Sequence, residues 1–296
     1  MNLLSLLNRL SVADQPAAPA PAPRRQALRQ LGQAVAAGLP LAMGAGSPAQ
    51  AKIKDTALDA VQLLLRLEDL LADFYTQALA APALMAAPFR ADLTLLQTHQ
   101  QNHAAFLRQT LRDAGVTPPP APTSPRYDFS GRRGNPSNPI LFPTVFTGQN
   151  GFLEMAQQLE DASAAIYQGQ AAFIIGNRLL LDAVLRMQAV EARHAAHLRT
   201  LRRTLSGARV KSWPSRADAA PNPAIQVPSQ PATTPPSTTS IYAFEANETQ
   251  IMSGARLVPY ATLLTGSNLV QTNALAEAFD EPLPTAQATA LLNIFG

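Results

Sequence analysis

Cysteine is absent from all 296 residues. That single absence removes disulfide scaffolds, thiolate zinc sites, iron–sulfur clusters and cysteine nucleophiles together. Aromatic residues are scarce at 6%, and 15 glycines stand against 26 prolines. With 47% of the chain apolar, this composition points to Ala/Leu-rich helices separated by Pro-rich connections, not to a sandwich or a barrel. No apolar run reaches the roughly 20 residues a membrane span needs, so no membrane-spanning helix is expected. A strongly basic fold is also absent. The formal net charge of +3 comes from residues 1–51, where Arg9, Arg24, Arg25 and Arg29 face the single acid Asp14. Removing these from the 23 basic and 20 acidic residues leaves 19 of each, so no nucleic-acid partner is expected. The length itself allows one or two domains with a sizeable core.

Residues 1–51 have the layout of an export address. Arg24-Arg25 precedes a mildly apolar stretch from Leu31 to Gly46, and Ala49-Gln50-Ala51 supplies the small-x-small pattern of a cleavage site. Gly38, Pro40 and Gly44 interrupt the apolar stretch, so it does not make a stable span. The order is that of a twin-arginine signal with a long leader before it, and it implies a periplasmic or extracellular protein. Ala27, after Arg25-Gln26, departs from the usual bulky apolar residue.

Four helical patterns follow. Val61, Leu64, Glu68, Leu71 and Tyr75 recur at spacings of three and four, as do Leu93, Leu96, Gln100, His103, Leu107 and Leu111 after Pro88. Residues 116–150 carry repeated prolines and glycines without sustained period and read as a long connection. Leu153, Ala156, Glu160, Ser163 and Tyr167 form the third stripe. The fourth is the most regular, running Leu180, Val184, Met187, Glu191, His194, Leu198, Leu201 and Leu205. Short turns make antiparallel neighbours, whereas a long crossover between helices two and three lets that pair run parallel. The expected fold is therefore all-α, a ferritin-like four-helix bundle over residues 52–207. The Pro/Ser/Thr-rich residues 208–240 read as a linker or draped extension that offers no site. Residues 241–296 form an irregular, short-helical extension expected to pack on the bundle.

A duplication locates the chemistry. Leu67-Glu68-Asp69 with Tyr75 repeats as Leu159-Glu160-Asp161 with Tyr167, an offset of 92. Gln100-x-x-His103 through Arg108 repeats as Glu191-x-x-His194 through Arg199, an offset of 91. Two helical hairpins on one template imply a pseudo-twofold, with the Glu and His of each converging near the axis. Glu68, Glu160 and Glu191 lie in largely apolar stripes, where an unpaired carboxylate costs several kcal/mol or more. No Lys or Arg shares those stripes, since Arg66, Arg186 and Arg193 fall one or two positions away. The remaining partners are His103, His194, the two tyrosines or a bound cation. A divalent metal pair, held by carboxylates from two helices and Glu-x-x-His from the others, satisfies all of them.

At these residues the sequence resembles the bacterial ferritin-like domain family, often secreted, that is related to plant desiccation-related proteins. The resemblance covers roughly residues 55–206 and extends toward Phe279-Asp280-Glu281-Pro282-Leu283. It implies a dinuclear iron or manganese site with ligands at Glu68, His103, Glu160, Glu191 and His194, and with Gln100 at the sixth position. Glutamine there is a departure. It leaves three carboxylates for two divalent ions, and the expectation is weaker or single-metal occupancy. The function so implied is an exported metal-binding protein, oxidising bound metal with oxygen or peroxide in metal handling or oxidative-stress defence. The alternative is a non-catalytic stress or desiccation protein with a degenerate site.

Other features have plainer readings. A single Glu-x-x-His commonly forms a solvated or capping pair, and only the duplicated set lifts Glu191 and His194 above that. Tyr75 and Tyr167 read as core residues bonding the site carboxylates. Asp69 and Asp161 point about 100° away from their neighbouring Glu, toward solvent or toward a supporting role. His99 and His197 align with Val190 and Phe106 and read as surface imidazoles, while Glu154 and Asp182 read as surface charges.

Overall fold

A computed structural model describes residues 57–81, 84–229, 237–246, 249–252, 256–259 and 276–296. The export signal expected over residues 1–51 lies outside the described residues, as does the apolar run at residues 260–264. Four long helices dominate: α1 (Ala57–Ala80), α2 (Ala87–Asp113), α3 (Gln149–Ile174) and α4 (Arg178–Ser206). Local sequence sets their ends. Pro88 sits in the first turn of α2, where its missing N–H costs nothing. Asn177 caps α4 by accepting from the Leu180 amide at 3.1 Å, and Gly207 ends it in the left-handed region at φ 66°. No helix among the described residues is long and apolar enough to cross a membrane.

Side-chain pairs fix the helix directions. Gln97 on α2 reaches Thr76 on α1 at 2.7 Å, and Arg108 reaches Asp69, so this hairpin is antiparallel. Tyr75 meets Glu160 while Tyr167 meets Glu68, so α1 and α3 are antiparallel too. Helices α2 and α3 are therefore parallel, which requires the long crossover, and the expected ferritin-like bundle is what forms. Val61, Leu64, Leu71, Leu93, Leu107, Leu153, Leu180, Val184 and Leu198 are fully buried along its axis, each stabilising the fold by about 1.5–3 kcal/mol relative to an exposed side chain.

The crossover contributes more to the core than its composition suggests. Phe129, Phe142 and Val145 are buried, and Phe129 packs edge-on against Phe74 of α1 at 5.0 Å between ring centroids. Phe152 stacks on Phe74 at 5.4 Å between ring centroids. Asp73 of α1 anchors the loop by accepting from the Arg126 and Tyr127 amides, both at 2.9 Å.

The tail is not wholly helical. Two antiparallel strand pairs form, β1 (Gln226–Pro228) with β2 (Thr238–Ser240) and β3 (Thr249–Met252) with β4 (Arg256–Pro259). A 3-10 turn (Ile241–Ala246) and α5 (Thr285–Leu292) complete it. Residues 208–229 drape over α3 and α4 instead of hanging free. Ile225 and Val227 are fully buried, and the Ile225 amide donates to Gln158 at 2.7 Å. The Leu283 amide donates to the Ala165 carbonyl at 2.9 Å, an approach possible because Gly169 has no Cβ to strike the Leu283 backbone.

Candidate metal centre

The repeat becomes a pair of interlocked hairpins. Tyr75 donates to Glu160 Oε1 at 2.5 Å, and Tyr167 donates to Glu68 Oε1, so each tyrosine bonds the glutamate of the opposite hairpin. Burial and these carboxylates push both phenols well above their ordinary range, keeping them neutral donors. Their position agrees with a supporting role for the glutamates.

Six side chains converge between these tyrosines. Glu68, Gln100, Glu160 and Glu191 have no exposure at all, and His194 and His103 are largely buried. His103 Nδ1 lies 2.9 Å from Glu191 Oε1 and 3.4 Å from Glu68 Oε1. His194 Nδ1 lies 3.5 Å from Glu160 Oε2 and 3.6 Å from Glu191 Oε2. Two three-residue sets result, Glu68/His103/Glu191 and Glu160/Glu191/His194, each with donor atoms within 4.8 Å of one another. Glu191 belongs to both, turning Oε1 to one and Oε2 to the other. Ser163 donates to Glu191 Oε2 at 3.1 Å.

The donor set fits a cation. Bond lengths of about 2.0–2.2 Å place neighbouring ligand atoms roughly 2.8–3.6 Å apart, the range of the four imidazole–carboxylate distances here. Glu68 Oε2, His103 Nδ1 and Glu191 Oε1 are buried without a hydrogen-bond partner, and so is Glu160 Oε2. His103 Nδ1 is close to Glu191 but not aligned for a hydrogen bond. Such orphaned atoms are rare unless an ion or a function accounts for them. Mixed carboxylate and imidazole ligands suit iron or manganese, with zinc also accommodated.

Gln100 separates the two sets. Its amide Nε2 donates to Glu160 Oε1 and Glu191 Oε2, both at 3.0 Å, and lies 3.4 Å from His194 Nδ1. A neutral N–H₂ group thus touches all three members of the second set. Among the described residues, no amide reaches Glu68 or His103, the two members that belong to the first set alone.

Electrostatics reflect the crowding. Burial, reinforced by the Glu191 charge, pushes Glu68 up to about 8 and Glu160 up to about 7. Burial would also raise Glu191, but His103 and His194 hold it well below the carboxylate range. For the two histidines burial acts downward, and the carboxylates overcome it, raising His103 and His194 to about 10. Without metal, the centre therefore holds protons more tightly folded than unfolded. For the histidines, the resulting stability is complete below the ordinary value of 6.5 and lost as pH rises toward 10. For Glu68 and Glu160 it is complete below 4.5 and lost through pH 7–8. The Glu191 shift has the opposite sign, but it acts below pH 4.5. We expect the melting temperature of metal-free protein to fall by about 5 °C or more between pH 6 and pH 10. Metal-saturated protein should show a flatter profile, because the ion replaces those protons. Matching profiles for the two forms would contradict this account.

Several expectations change. Asp69 and Asp161 do not face solvent: Arg108 grips Asp69 at 2.5–2.6 Å, and Arg199 grips Asp161 through two bonds at 2.6 and 2.8 Å. Glu154 is not a free surface charge either, since buried Arg202 donates to it at 2.8 Å. These cations occupy the outer stripes of α2 and α4, and no ion pair among the described residues brings a Lys or Arg to Glu68, Glu160 or Glu191. His99 is no simple surface imidazole: its Nδ1 lies 2.9 Å from His194 Nε2. Its i, i+4 relation to His103 was the available signal. His197 is partly exposed and paired with Asp92 at 3.1 Å, and Asp182 is exposed beside Arg186.

Comparison with curated proteins gives no match. A family profile described as ferritin-like domain matches residues 56–204, the span of all four helices and the six converging side chains. The chain belongs to the ferritin-like domain family.

Proposed function

We propose that this chain is an exported ferritin-like protein that holds a non-haem iron or manganese ion between its hairpins, in metal handling or oxidative-stress defence. The carrying observation is the first set, Glu68, His103 and Glu191, each of which offers a donor atom within 4.8 Å of the others and has a buried side-chain atom without a hydrogen-bond partner. Glu68 and Glu191 supply negative charge, His103 supplies a neutral nitrogen once its proton leaves, and Tyr167 orients Glu68. Bound iron or manganese would contribute one-electron chemistry toward oxygen or peroxide. Arg24-Arg25 and Ala49-Gln50-Ala51 support export to the periplasm or beyond, with residues 1–51 as the removable leader.

A second reading has its own support. Gln100 already bonds Glu160 and Glu191 in the second set, which favours a reduced site in a non-catalytic stress or desiccation protein. The deciding experiment strips the purified protein of metal, reconstitutes it with iron(II) or manganese(II) and measures bound metal. About one equivalent per chain is expected, and less than about a tenth would sink the metal reading. Oxygen consumption by the iron-loaded protein then separates turnover from passive holding.

A further inference from the structure

We propose that His99 is a positioning residue that fixes the ring of His194 for metal ligation. The inference deepens the metal reading and rests on it. His194 turns Nδ1 toward Glu160 and Glu191, so a ligand lone pair on Nδ1 requires the proton to sit on Nε2. That Nε2 lies 2.9 Å from His99 Nδ1, with the two ring planes only 12° apart. His99 Nδ1 therefore accepts the Nε2–H of His194, and the proton of His99 sits on its own Nε2. A ligating imidazole whose other N–H is held by a fixed acceptor keeps both tautomer and orientation, and loss of such a partner typically weakens metal binding 10–100-fold.

The repeat makes His99 specific to one half of the centre. Its counterpart in the other hairpin is Val190, which has no acceptor, and among the described residues no second imidazole bonds a ring nitrogen of His103. The half with Gln100 in place of a carboxylate is thus the half with the supported histidine. The alignment also supplies the substitution: His99→Val places at α2 the residue that α4 carries.

The test has one readout without metal and one with zinc(II) as a diamagnetic probe. In metal-free, nitrogen-labelled protein, a nitrogen–nitrogen coupling across the hydrogen bond should join His194 Nε2 to His99 Nδ1. Absence of that coupling, or a proton bound at His99 Nδ1, overturns the proposal. With zinc(II), in competition against a chromophoric chelator, the comparison is made in a Gln100→Glu background, where a carboxylate replaces the amide that occupies the second set; there His99→Val should lose at least about tenfold in affinity at the second position. His99→Gln, whose amide oxygen can accept the same N–H, should recover most of that loss. An unchanged second-site affinity when His99→Val is added to folded Gln100→Glu protein overturns the positioning role, and so does failure of His99→Gln to improve on His99→Val in that background. Wild-type protein that takes up no zinc while the coupling is present overturns the metal reading, and leaves the His99–His194 bond standing.

Discussion

Replacing Gln100 by glutamate should raise metal stoichiometry from about one toward two ions per chain, or tighten binding at least tenfold if two ions already bind weakly. Charge and position both favour this outcome. Two divalent ions carry four positive charges, and Glu68, Glu160 and Glu191 return three. The Gln100 amide nitrogen stands 3.0 Å from Glu160 Oε1 and 3.0 Å from Glu191 Oε2. A carboxylate there removes the donor that satisfies these oxygens and adds the fourth negative charge. It also completes the repeat, since Gln100 aligns with Glu191 itself. The same substitution should destabilise the metal-free protein, because a further buried anion then faces Glu160 and Glu191 with only the His194 imidazolium, already shared by both, within reach. Metal titration followed by calorimetry and thermal unfolding checks both halves. If neither stoichiometry nor affinity rises, the second set is not a metal position.

Arg199→Ala should cost about 3–5 kcal/mol of stability. Arg199 is 1% exposed. It binds Asp161 of α3 twice, reaches Asp218 Oδ2 at 2.6 Å and the Trp213 carbonyl at 3.1 Å, and so joins α4, α3 and the draped segment. Tyr242 donates to the same Asp161 at 2.7 Å. Removing the guanidinium leaves two carboxylates that were built around it, in surroundings where an uncompensated charge is far more expensive than a missing pair. Urea unfolding measures the loss, and Asp161→Ala in the same background should return part of it. Arg108→Ala, its counterpart in the first hairpin, should cost less, because the Arg108–Asp69 pair is nearer solvent. A loss under about 1 kcal/mol for Arg199→Ala would contradict the argument.

The layout of the centre was legible because each element of it obeys a helical period. Glu68 to Tyr75 and Glu160 to Tyr167 span two turns, and Glu191 to His194 spans one, so each set shares a face whatever the helix later packs against. The duplication then made two such faces equivalent, and the long crossover allowed only one arrangement of the hairpins. What remained hidden lies across helices. Arg108 and Arg199 fall on faces that no apolar stripe marks, and their pairing with Asp69 and Asp161 depends on how α2 and α4 are rotated against α1 and α3. The aromatic cluster around Phe74 draws Phe129 from a segment with no period at all.

Sequence alone therefore marked the apolar stripes of the four helices, the template that two hairpins share, and three carboxylates on those stripes without a lysine or arginine among them. Tertiary structure decided which atoms of those residues touch. It gave each tyrosine to the opposite hairpin, set the Gln100 amide against one ligand set and not the other, and brought His99 to His194. Periodicity reports direction about a single helix axis, whereas contact between helices depends on their relative shift and rotation, which the packing of the whole core settles.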